Sequence, residues 1–444
     1  MQTKNPITTI LAALGVLALG GATTLAACTG PTGPEGQAGA NGEAGAVGPQ
    51  GPSGSSDAGP IALVEGGLQA SCMSPCHGFN GIVDQWKSST HYFGAIVNVE
   101  EQGPWTSSAS SCGNCHATDG LPSRLAGQGT LASGSTVGPT NYKLGELNYT
   151  KATGGVAELG YGGHAPLAII GCTTCHDTVT NDPHVSGGLY QKGDFKLRVP
   201  SGPNDQAYLE KSPTVGTVTG TPAGKWGVNN TCIQCHKSRK DVTNYITASN
   251  TITSANWGPH EGPHADVFSG VGGYHFTGKT YTSSAHQTTS GCGSCHMPKV
   301  ALNGNYPDHS FRPQLSTCTA SGCHAPGTIN SELNTSRGVF NGALQDLQRV
   351  LNNRGFLTRE TLASAPLGTT ELADKQFALD KTRNPGAALT ADEAGALYDY
   401  LLVARGGALG AHNPLYTKQL IFDAYVAVRT GADPATPATI PVRP

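Results

Sequence analysis

Six histidines in this chain each follow directly on a cysteine, and each of those cysteines has another cysteine three to five positions before it. Four sites keep two residues between the thiols: Cys112-Gly113-Asn114-Cys115-His116, Cys172-Thr173-Thr174-Cys175-His176, Cys232-Ile233-Gln234-Cys235-His236 and Cys292-Gly293-Ser294-Cys295-His296. Two are looser, with three residues between Cys72 and Cys76 before His77, and four between Cys318 and Cys323 before His324. Two thiols one helical turn apart reach two points on one edge of a flat ligand, and the adjacent imidazole falls over its centre. That is the geometry of covalent c-type haem attachment, with the histidine as proximal iron ligand. In the looser motifs the extra residues loop out and leave the same reach. The six motifs use 12 of the 13 cysteines, and the remaining one is Cys28, so no pair is left for a disulfide.

An iron held by one histidine has a second face to fill. The chain has 15 histidines, and removing the six proximal ones leaves His91, His164, His184, His260, His264, His275, His286, His309 and His412. Six irons need six second ligands, so supply exceeds demand. Position favours His91, His164, His184, His260, His286, His309 and His412, and marks His264 and His275 as spare. His412 stands one residue before a helix start in a segment otherwise free of histidine. Methionine is scarce: Met1 belongs to the leader, Met73 lies inside a motif, and Met297 follows His296 too closely to reach the opposite face of the same iron. His/Met ligation raises a haem's potential, so its absence predicts bis-His haems of low potential.

The elements that must hold these residues are sparse. Only 13% of residues are charged and the formal net charge is −3, which gives no nucleic-acid signature and no strong field to steer a partner. Glycine accounts for 61 of 444 residues, so the side-chain core is thin for the length. Porphyrin discs are expected to replace it. The fold class expected is therefore mainly α and irregular, with single helical turns at the motifs, loops wrapped on a chain of haems, a C-terminal helical segment and little β.

Residues 1–28 read as an export signal, with Lys4 ahead of the apolar stretch Ile7 to Leu19 and small residues before Cys28. Leu25-Ala26-Ala27-Cys28 resembles the bacterial lipobox, which implies lipid on Cys28 and anchorage to a membrane surface. In 29–59, glycine recurs at every third position from Gly30 to Gly54, the Gly-X-Y pattern of collagen. It reads as a spacer or tether, with a trimerising stem as the other option. Residues 60–325 form the multihaem stretch, 326–430 a helical region, and 431–444 a loose Pro-rich tail. In the helical region, Leu333 to Leu351 keep helical spacing and stop near Asn352 to Gly355. Thr390-Ala391-Asp392-Glu393 is a capping box whose helix stops at Gly406-Gly407, and Asn413-Pro414 opens a third helix as cap and first-turn proline.

From Ser71 to Gly431 the chain resembles the bacterial multihaem cytochromes c. Cys295-His296-Met297-Pro298 with His309 and a further haem site downstream is similar to an arrangement in pentahaem nitrite reductases and their octahaem hydroxylamine oxidoreductase-like relatives. Ala411-His412-Asn413-Pro414 after a long helix is similar to the C-terminal part of that superfamily. The resemblance implies closely stacked haem c groups and a second-ligand role for His412. It departs at one point: those nitrite reductases often use lysine as proximal ligand of the active-site haem, and every motif here ends in histidine. The reading expected is an exported, outer-membrane electron-transfer lipoprotein with six haems c, periplasmic or facing the cell surface. Its partners are other cytochromes or an extracellular acceptor, with no nucleic acid, and self-association would run through the Gly-X-Y stem or haem contacts. Two further uses stay open. One is reduction of nitrite, hydroxylamine or a sulfur oxyanion at an open iron, and the other is a conductive filament.

Overall fold

The structure is a computed structural model that describes residues 80–92, 113–116, 118, 120–125, 169–177, 195–210, 220–254, 257–299, 307–320, 322–357 and 388–444. The leader with Cys28, the Gly-X-Y segment, Cys72, Cys76, His77, Cys112, His164 and His184 lie outside these residues.

The described chain is mainly helical and irregular. In order it runs through α1 (Asn80–Lys87), α2 (Gly113–His116), α3 (Gly120–Leu125), α4 (Cys172–Cys175), α5 (Asn230–Ile233), α6 (Val242–Tyr245), α7 (His264–Ser269), α8 (Ala285–Thr289), α9 (Cys292–His296), α10 (Leu315–Ala320), α11 (Ile329–Asn353), α12 (Ala391–Gly406) and α13 (Pro414–Val428). Strand among the described residues is confined to three antiparallel two-stranded pairs. One of them, Ser249–Asn250 with Leu389–Thr390, ties the middle of the chain to the start of α12.

In two of the motifs a side chain of the motif itself ties down the glycine that precedes the turn. In α4 the Gly171 N–H donates to Thr174 Oγ1 at 3.1 Å, and in α9 the Gly291 N–H donates to Ser294 Oγ at 3.2 Å. The residue before the second cysteine thus satisfies a donor that a one-turn helix would leave open. Gly291 also needs its missing side chain, since a Cβ there would lie 2.4 Å from the Asn229 amide nitrogen.

The C-terminal helices form as the periodicity predicts. Helix α11 buries Phe340, Ala343, Leu344, Leu347, Val350 and Leu351 along one face. Helix α12 begins at the capping box, in which Thr390 Oγ1 accepts from the Glu393 N–H, and ends at Gly407 in the left-handed region at φ +65°. It is buried on all sides from Ala394 to Arg405, as a central helix must be. Around it Tyr398, Tyr400, Tyr416 and Tyr425 are fully buried, each aromatic removing a large apolar area from water.

Three expectations need correction. The side-chain core is substantial, because one apolar cluster runs from Val242 and Phe276 through Phe340 and Leu397 to Ile440, across the boundary expected near 325. Asn413 precedes α13 by position but makes no side-chain cap. Its amide instead donates to the Ser283 hydroxyl at 3.0 Å and accepts from the Ser284 N–H at 2.9 Å. The tail is tied down: Arg443 pairs with the buried Asp423 carboxylate at 2.8 Å, Gln419 donates to the Pro444 carbonyl oxygen, and Ile440 is in the core.

Candidate functional site

Five of the six motif histidines are described, and the ring of each lies near that of a histidine from outside any motif. The centroid separations are 6.4 Å for His116 and His260, 6.3 Å for His176 and His309, 6.0 Å for His236 and His91, 6.2 Å for His296 and His412, and 6.1 Å for His324 and His286. A metal–imidazole bond of about 2 Å on each side, with about 1.1 Å from nitrogen to ring centre, spans about 6.2 Å. The pairs therefore have the spacing of two imidazoles on opposite faces of one metal ion. Five of the seven expected second ligands take part, and His164 and His184 lie outside the described residues.

Hydrogen bonding at the far nitrogen agrees with this spacing. Nδ1–H donates to the carbonyl oxygen of Phe195 from His176, of Phe311 from His296, of Glu261 from His260, of Ala411 from His286 and of Pro307 from His309, all at 2.8–2.9 Å. His324 donates to the Glu332 carboxylate at 2.9 Å. Fixing the proton on Nδ1 leaves the Nε2 lone pair for a metal. His275 is the contrast: its Nε2 shares a hydrogen bond of 2.9 Å with the Tyr416 hydroxyl and its ring stacks on Tyr281 at 4.1 Å. His264 stands between two pairs, 5.5 Å from His236 and 4.8 Å from His412. His264 thus borders the His236 and His412 rings, while His275 is engaged with Tyr416 and Tyr281.

Electrostatics favour neutral imidazoles, the form that binds metal. Burial holds the His91 pKa down to about 3, with help from His236 and His296, and His412 and His260 down to about 4. His236 is likewise lowered, chiefly by desolvation, yet its side chain is exposed. Cys175 is pushed up to about 11 by burial, and Cys232 is raised by a hydrogen bond with Cys292 and by burial. The described motif cysteines have no disulfide partner. Cysteines outside any disulfide and histidine pairs at metal-bridging spacing suit haem c as the resident group.

The sites touch one another. Cys232 meets Cys292 across two motifs, the Gly293 N–H donates to Asn229 Oδ1 at 2.8 Å, and the Gln314 N–H donates to the Cys295 carbonyl oxygen at 3.1 Å. Helix α1 clamps the His176 site, since Trp86 Nε1 donates to the Ile170 carbonyl oxygen at 2.8 Å and Gln85 Oε1 accepts from the His309 N–H at 2.9 Å.

Phe311 joins three sites. Its ring meets His91 edge-on at 4.4 Å and His309 at 5.9 Å, while its carbonyl holds His296. It does so at φ +56°, a left-handed conformation that costs an aromatic residue about 1–3 kcal/mol. Neither Phe311 nor Glu332 is marked by sequence, because backbone strain and an interaction across a loop leave no spacing signal.

No protein-family model matches the chain, and no curated protein matches it. Among solved structures it is similar to the outer cell wall cytochrome OcwA, at a TM-score of 0.42 and 19% identity, over 78% of this chain and 50% of that one. The chain thus spans half the length of that protein. No helix among the described residues is long and apolar enough to cross a membrane.

Proposed function

We propose that this protein is a hexahaem c-type cytochrome that transfers electrons through bis-His haems between redox partners, lipid-anchored through Cys28 at the outer membrane. The observation that carries the reading is the set of five facing histidine pairs at 6.0–6.4 Å. When bound, haem c supplies reversible one-electron chemistry at iron. The motif cysteines would hold each haem covalently, the motif histidines would supply one iron ligand, and His260, His309, His91, His412 and His286 would supply the second at the five paired sites. The sixth group belongs to Cys72, Cys76 and His77. Two histidines for each of five irons favour an electron carrier over a reductase, because a substrate needs an iron face of its own. The Gly-X-Y segment serves as a tether that extends reach from the membrane, with cytochromes or an extracellular acceptor as partners.

Intact-mass analysis of the mature protein, combined with EPR of its fully oxidised form, tests this. The expected result is the added mass of six haems with low-spin ferric signals alone. No haem mass overturns the proposal, and a high-spin ferric signal replaces it with a substrate-reducing enzyme.

A further inference from the structure

Six axial histidines have a defined acceptor for Nδ1–H. Five use neutral backbone carbonyls, and His324 uses the Glu332 carboxylate. Across the pair, His286 donates to the Ala411 carbonyl oxygen, so the carboxylate bears on one ligand of one site. Glu332 is fixed from three directions. Its other oxygen accepts from the Thr328 hydroxyl, and it sits in the first turn of α11, where unpaired N–H groups favour negative charge. The same carboxylate is 46% exposed and His324 33% exposed, so solvent moderates the interaction without removing it.

A carboxylate that draws on the Nδ1 proton makes an imidazole a stronger donor at Nε2, and its charge adds to the effect. Both stabilise ferric over ferrous iron. Resting on the bis-His reading above, we propose that Glu332 sets the reduction potential of the haem carried by Cys318, Cys323 and His324, holding it below the haems whose histidines donate to carbonyls. Glu332 is a positioning and tuning residue, acting on iron through His324.

The purely structural alternative is that Glu332 only pins the turn from His324 to Thr328. Glu332→Gln separates the two, because glutamine keeps an oxygen to accept from Nδ1–H and removes the charge. Full-length holoprotein is titrated by spectroelectrochemistry with EPR at each potential, and the low-spin signal lost in His286→Ala identifies the haem concerned. In Glu332→Gln that one signal is expected to move to higher potential with the others unmoved. Superimposable titrations, or a shift of all haems together, overturn the inference. Full haem mass and low-spin signals in the unsubstituted protein keep that outcome distinct from failure of the bis-His reading.

Discussion

A histidine binds metal through Nε2 only when that atom is not already committed, and this separates His412 from His275 more sharply than burial does. His412→Ala is expected to convert one low-spin haem to high-spin. His275→Phe is expected to leave every haem low-spin and to cost about 1–3 kcal/mol, because the Tyr416 hydroxyl loses a partner. EPR and denaturant unfolding of the two variants check this. Sequence favours His412 by its isolation before a helix. It does not assign His91 to His236 or His260 to His116, since those pairings are made by loops whose path no local pattern fixes. Asp266 is a second residue-scale case. It is fully buried, one oxygen accepts from the Ser238 N–H at 2.7 Å, and Lys237 and Tyr398 are its charged and titratable neighbours. Burial raises its pKa from 3.8 to about 7. Between those values the folded chain keeps a proton that the unfolded chain has released. The associated stability is therefore complete below 3.8 and lost as pH rises through 7, about 4 kcal/mol in all. Asp266→Asn is expected to flatten that slope and to be the more stable form at pH 8, measured by urea unfolding across pH.

At the level of elements, what the sequence makes readable is what is local. The capping box at Thr390, the proline at the head of α13 and the apolar stripe of α11 all show their ends within a few residues, and those helices form where expected. The tail reads as loose because its anchor, the Asp423 carboxylate that binds Arg443, comes from a helix and becomes visible only on folding. The loop between α12 and α13 carries His412 and depends on Gly410, which sits at φ +80° with the Phe340 ring 2.2 Å from where a Cβ would be. Gly410→Ala is expected to cost about 2–4 kcal/mol from overpacking and left-handed backbone, and to weaken the low-spin signal of the His296 haem through displacement of His412. Thermal unfolding and EPR of that variant report both effects.

Over the whole molecule, contact between motifs matters more than their number. The Cys232 and Cys292 sites touch, and the Cys292 and Cys318 sites are tied by the backbone between Cys295 and Gln314. On the haem c reading proposed above, charges this close in a low-dielectric interior oppose one another, so an electron on one site makes the next harder to add. The full redox titration is expected to be broader than a one-electron curve, as followed by visible absorbance. The motifs themselves were legible because the chemistry they are read for demands a fixed spacing. Their adjacency was not, because it arises from turns such as the one at Asn229 that bring motifs 60 residues apart together.

The hydrogen bond between the Cys232 and Cys292 thiols also bears on biogenesis. In an oxidising compartment two neighbouring thiols readily surrender two electrons and join. Such a crosslink would block two porphyrins at once. On the haem c reading proposed above, maturation keeps both sulfurs reduced until ligation, or completes the upstream attachment before the downstream motif folds against it.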